Sequence, residues 1–181
     1  MGERVVIAAY DPEWPDRFWQ IARRLREGLG DEAMRIDHIG STAVSGLDAK
    51  PIIDIQVSVP ALDPVDAFRK PLEELGYVWR ADNPDRTKRC FREAPGDART
   101  HVHVRRADGW PEQAALLFRD YLRAHPGDAD RYGATKRTLA TQYADDRRGY
   151  TDAKGDIVWS ILRSADRWSQ EIGWSPGASD A

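Results

Sequence analysis

The stretch Arg35 to Val59, RIDHIGSTAVSGLDAKPIIDIQVSV, ends one apolar run at a Gly-Ser pair. It then sets Asp54 inside a second run, among Ile52, Ile53, Ile55 and Val57. An ionised carboxylate in apolar surroundings is costly unless it is paired or holds a cation. The Gly40-Ser41 turn suggests what the compensation serves. Glycine lets a backbone approach a ligand closely, and the amides and hydroxyls of Ser41 and Thr42 can donate to phosphate oxygens. The segment between Ser41 and Asp54 is long enough for the chain to turn back, so that both face one pocket. Asp54 can then hold a magnesium ion that bridges to a phosphate seated on the turn.

Other residues extend this chemistry. His101 and His103 are two apart in a strand-like run, so they share a face. If that strand neighbours Asp54, they complete a metal site of two histidines and a carboxylate, which favours a transition metal over magnesium. Alternatively one of them, His103 foremost, serves as an acid or base near neutral pH, or both are simply hydrogen-bonded strand residues. His38 precedes the turn and either orients it or bonds at a strand end. Asp37, alternating with it, is expected at the surface. Lys50 reaches a phosphate at the pocket mouth or stays solvated. Arg86, Lys88, Arg89, Arg92 and Arg99 form a basic cluster, with Arg89 the candidate substrate contact. Lys136 lies four residues after Tyr132, on one helix face that can lean over the pocket. Cys90 reads as a small buried hydrophobe.

The elements that must position these groups follow from periodicity and punctuation. Residues 4–9 read as a short strand. Trp14, Phe18, Ile21, Leu25 and Leu29 mark a helix that stops at Gly30. Strands MRIDHIG and PIIDIQVSV follow, then a helix opened by Asp63-Pro64, with a break or kink expected at Pro71. YVWRA, KRCFREA and THVHVRRA read as three further strands. From residue 111 to 172 the pattern is three helical segments, and residues 173–181 read as a frayed tail. This is one α+β domain of 181 residues, a mixed-sheet core over 1–110 with a helical C-terminal section packed on it.

Composition narrows the function classes. With a formal net charge of -3 nothing global suggests nucleic-acid or membrane-surface binding, so any polyanion site must be local, and the lack of a broad basic stripe argues against a long nucleic-acid partner. The single cysteine excludes an internal disulfide and fits a reducing compartment. The N-terminus lacks the layout of a secretion signal, Gly2 lacks a myristoylation context, and no apolar run reaches membrane-spanning length. A cytoplasmic location is expected, with no membrane partner.

Several long phrases together resemble the GrpB-like family: YDPEWPDRF, HIGSTAVSGLDAKPIIDI, RTHVHV, FRDYLRAHP, YGATKRTLA and YTDAKGDIV. The resemblance covers most of the chain and implies a nucleotidyltransferase-like fold. The signature of that superfamily is Gly-Ser, a spacer, then Asp-apolar-Asp/Glu, which Ile39, Gly40, Ser41, Asp54, Ile55 and Val57 fit. Gln56 stands where a second carboxylate is expected, so a single ion with Gln56, His101 or His103 as further ligands replaces a two-metal arrangement. The implied activity is transfer of a nucleotidyl group from a nucleoside triphosphate to a small-molecule acceptor with a divalent metal, magnesium, manganese or a transition metal. Two alternatives stand beside it: a catalytically silent nucleotide- or metabolite-binding module, and a small-molecule transferase or ligase that reuses the pocket.

Overall fold

The structure is a computed structural model in which residues 4–181 are described; Gly2 lies outside them. Five strands form one mixed sheet: β1 (Arg35–Ile39), β2 (Ile53–Val59), β3 (Val78–Trp79), β4 (Lys88–Arg92) and β5 (Thr100–Arg106), in the order β1-β2-β5-β4-β3. Only the central β2–β5 pair is parallel; β1–β2, β4–β5 and β3–β4 are antiparallel. The mixed α+β architecture expected from the strand and helix patterns is the one that forms.

The two sheet faces differ sharply because side chains alternate along each strand. Ile36, Ile53, Ile55, Val57, Val59, Phe91, Val102 and Val104 point to one side. There they meet α1 (Trp14–Leu29) and α2 (Asp66–Glu74) through Trp14, Phe18, Leu25, Phe68 and Leu72. Burying such side chains stabilises the fold by about 1.5–3 kcal/mol each. The other face carries Asp37, Asp54, Gln56, Ser58, His101, His103 and Arg105, and faces the helical section. That section comprises α3 (Trp110–Ala124), α4 (Pro126–Gln142), α5 (Arg147–Ala153) and α6 (Gly155–Ile172). Leu117, Tyr121, Leu122, Tyr132, Ile161 and Ala165 form its own apolar cluster.

Five expectations need correction. Residues 4–9 contribute only an isolated bridge, Ala8 to Ala49, and join no sheet. α2 starts at Asp66, after the Asp63-Pro64 pair, and Pro71 does not break it. Burial of Phe68 and Leu72 on either side of the proline holds it together. The last helical segment is two helices, α5 and α6, joined at Lys154. Asp37 is fully buried, not at the surface: α3 covers its face and brings Arg119 to 3.7 Å, while Arg35 pairs with it at 2.9 Å.

The fifth concerns the tail, which is docked along the free edge of β1. Ala181 N donates to Ile36 O at 3.1 Å, and Ser179 Oγ accepts from Ile36 N at 2.9 Å. Asp180 Oδ2 accepts from His38 N and from Arg119 Nη1, each at 2.9 Å. An open strand edge presents unpaired backbone groups, and here the tail satisfies them.

Candidate functional site

Strand register assembles the site. In the parallel pair, Asp54 stands opposite His101 and Gln56 opposite His103, so all four share the polar face. Asp54 Oδ1 lies 3.2 Å from His101 Nδ1 and 3.2 Å from His103 Nε2. The carboxylate is 30% exposed, enough to meet solvent or a ligand. Burial raises its pKa, but the hydrogen bonds from His101 and His103 more than reverse this and hold it well below the usual carboxylate range. Burial lowers the pKa of His103 against the opposing pull of Asp54, so that imidazole is neutral near pH 7. The other ring nitrogen of His103 lies 3.7 Å from Cys90 Sγ, which also accepts from Asn83 Nδ2 at 3.2 Å.

The Gly-Ser turn closes on the same carboxylate. Gly40 has φ +72° and ψ -168°, a region open essentially to glycine alone. A Cβ on Gly40 would lie 2.8 Å from Asp54 Oδ2, so the turn presses against Asp54 in a way no other residue type allows. Ser41–Ala43 then form a single 3-10 turn whose leading amides have no acceptor within it. Behind the turn, His38 stacks flat on Phe18 with ring centroids 4.7 Å apart. Burial, reinforced by Arg123 and Arg119, lowers its pKa to about 3. Neutral His38 contacts Thr42 Oγ1 through Nε2 at 3.0 Å, and Thr42 Oγ1 donates to Ile52 O at 3.3 Å. The hydroxyl proton of Thr42 is thus committed to the fold, and His38 is a support for the turn.

In front of the trio opens a cavity of about 350 Å³. Ser41, Asp54, His101 and His103 form its floor, and Lys50, Lys88, Lys136, Arg147 and Lys154 surround it. In a chain of net charge -3 this is a pronounced local concentration of cations, suited to a polyanion. Lys136 is 2% exposed, its ammonium 4.5 Å from the Tyr132 ring centre and bonded to Asp48 O. Burial lowers its pKa to about 7, and the charge of Lys154 adds to the effect. Lys50 lies 4.3 Å over the ring of Tyr150, another cavity residue.

Two sequence candidates are not brought into this arrangement. Gln56 is fully buried, its Nε2 donating to Glu112 O at 3.3 Å while its Oε1 accepts from Arg105. Both ends of the amide are occupied one pleat away from the trio, so Gln56 does not serve as its fourth ligand. Arg89 points to the opposite side of β4, donating to Arg86 O at 3.1 Å and pairing with Asp63 at 3.3 Å. Its neighbour Lys88 is the basic strand residue that reaches the cavity. Arg147, Tyr150 and Lys154 were not singled out in sequence. The phrase YTDAKGDIV holds two of them, but Tyr150 on the short α5 and Lys154 at its junction with α6 carry no signal without the fold.

Residues 4–164 match the GrpB protein family. The chain belongs to the GrpB family. It is 32% identical to the crystal structure of conserved protein GrpB from Enterococcus faecalis, with a TM-score of 0.82 over 90% of this chain and 99% of that one. A UPF0157 protein of Pseudomonas aeruginosa is 43% identical over 90% of this chain and 68% of its own. A dephospho-CoA kinase of Mycobacterium bovis is 36% identical over 92% of this chain, but the match takes in 47% of that longer protein. Among the described residues of this GrpB protein, no helix is long and apolar enough to cross a membrane.

Proposed function

We propose that this GrpB protein binds a nucleoside triphosphate in the cavity and transfers its nucleotidyl group to a small-molecule acceptor. The observation that carries the reading is the convergence of the Gly40-Ser41 turn, Asp54 and a ring of cations on one cavity. The phosphates rest on the leading amides of the turn and on Lys50, Lys88 and Lys136, which together offset the charge of a triphosphate. Asp54 would hold a divalent cation, with His101 and His103 beside it. Such a cation, when bound, neutralises charge on the phosphate under attack. The acceptor oxygen forms a bond to the α-phosphorus as the bond to the bridging oxygen breaks, and pyrophosphate leaves. An alcohol acceptor gives up its proton to solvent, because both ring nitrogens of His103 are engaged, Nε2 by Asp54 and Nδ1 facing Cys90. Placement and electrostatics supply most of the catalysis, because the reaction asks for no protein nucleophile.

A second reading is a binding module without turnover. The occupied amide of Gln56 favours it, since the position offers no second carboxylate. The kinase activity named for the mycobacterial relative is not carried over, because this chain matches less than half of that protein. Release of pyrophosphate separates the two readings. With ATP, CTP, GTP or UTP, manganese and a pool of small carboxylates and alcohols, the wild type is expected to release pyrophosphate and Asp54→Asn to lose at least about 100-fold of that rate. Nucleotide binding without any pyrophosphate release supports the module; release unchanged in Asp54→Asn removes the site.

A further inference from the structure

Sites that transfer nucleotidyl groups with magnesium hold it on oxygen ligands, because Mg²⁺ is small, hard and bound chiefly by carboxylates and water. The groups gathered here differ. The parallel register of β2 and β5 sets Asp54 between two imidazoles, and Gln56 is tied to Arg105 and Glu112. One carboxylate and two histidines therefore converge, and their donor atoms all lie within 4.8 Å of one another.

The spacing of those donors is informative. An ion bound through bonds of about 2.0–2.2 Å, at tetrahedral or right angles, keeps its donors roughly 2.8–3.6 Å apart. Asp54 Oδ1 already stands 3.2 Å from each imidazole nitrogen. The tautomers that ion binding needs are also accessible. His103 can turn its Nδ1 proton toward Cys90 Sγ, 3.7 Å away, leaving the Nε2 lone pair toward Asp54. His101 Nε2 is buried with no hydrogen-bond partner among the described residues, so no protein group opposes a lone pair on its Nδ1.

We infer that Asp54, His101 and His103 form a two-histidine, one-carboxylate site for a first-row transition ion of the manganese, iron, cobalt or zinc class, and not for magnesium. Imidazole nitrogen suits those ions, and three protein ligands on one side leave the remaining positions open to the cavity. Lys88 and the other cavity cations repel a dication, so the site alone is weak and tightens when a polyanion neutralises them. The inference rests on the proposed function only in taking Asp54 as the group that faces the cation; nucleotide binding plays no part in it.

Cobalt(II) is the probe, because its visible absorption reports nitrogen and oxygen coordination directly without any turnover. Titrated into metal-free wild type in the absence and presence of pyrophosphate, cobalt is expected to give a protein-dependent visible band. Zinc removes the band at equal concentration, while a 100-fold excess of magnesium leaves it in place. His101→Ala and His103→Ala each weaken cobalt binding at least tenfold, and His103→Gln, which keeps the bulk of the side chain, does the same with unchanged circular dichroism. No band with or without pyrophosphate, a band that magnesium removes, or a band kept in the histidine variants overturns the inference. A cobalt band without any nucleotide binding leaves the site standing and ends the transferase reading. Magnesium-supported nucleotide binding that needs Asp54 but neither histidine does the opposite.

Discussion

Gly40→Ala is expected to abolish ligand binding and to cost about 2–4 kcal/mol of stability, the sum of strain at a glycine-only backbone conformation and of a clash with a neighbour. The neighbour is Asp54: an alanine Cβ would stand 2.8 Å from its Oδ2. Either the turn moves outward or the Asp54 carboxylate rotates away from His101 and His103. Both outcomes dismantle the site, so loss of pyrophosphate-dependent thermal stabilisation should exceed what the lost stability explains. Gly46 is the control. It also has positive φ, +76°, but no atom lies within 4 Å of the added Cβ. Gly46→Ala therefore carries the backbone strain alone and should keep ligand binding near the wild-type level. Equal loss of binding in the two variants would mean that strain, not the approach to Asp54, is what Gly40 relieves.

The second large effect belongs to Lys136. The unfolded chain keeps its proton up to the ordinary pKa of 10.5, whereas the folded chain releases it at about 7. Unfolding in that window takes up a proton, so stability rises with pH between about 7 and 10 and levels off beyond. The cost of burying the charged form is present in full below the folded pKa. Wild type is expected to gain on the order of 3–4 kcal/mol relative to Lys136→Met across the window, read from urea melts at stepped pH. The groups that set this value are Lys154, Arg137 and Lys50, which repel the charge, and Asp48, which attracts it. A polyanion in the cavity restores the proton. Binding of pyrophosphate at pH 8.5 should be accompanied by uptake of close to one proton, seen as a buffer-dependent enthalpy, and Lys136→Met should lose that uptake. A stability difference that is flat with pH would mean that Lys136 keeps its charge when folded.

Much of the sheet could be read from the sequence. Val102 and Val104 alternate with His101 and His103, and a period of two is enough to place both histidines on one face. Asp54 was legible for the opposite reason, as a carboxylate that breaks an apolar run. Pairing was not legible: the parallel register that sets Asp54 beside His101 joins residues 47 apart in the chain. The same limit explains Asp37. A charged residue alternating with an apolar one reads as exposed until α3 covers its face and supplies Arg119. Arg119 itself sits in a helix whose leucines and tyrosine mask it as an ordinary amphipathic surface. Arg89 and Lys88 show how narrow the margin is. They are adjacent, equally basic and on opposite faces, and only the register of β4 against β5 sends Lys88 to the cavity.

The order of the tail is hidden from its sequence for a related reason. SPGASDA has the composition of a frayed end, and its order derives from the edge of β1 and from Arg119. Docking of this kind depends on an acceptor surface elsewhere in the chain, which local composition does not reveal.

The central claim is that Asp54 faces a shared cavity where a cation and a phosphate chain meet. Isothermal titration of ATP into wild type and Asp54→Ala, each with and without manganese, tests it most directly. Wild type should bind ATP at least tenfold more tightly with the metal present, and Asp54→Ala should lose that gain while keeping the weaker, metal-independent contacts to the lysines. Identical affinities in the two proteins, with manganese making no difference to either, would contradict it.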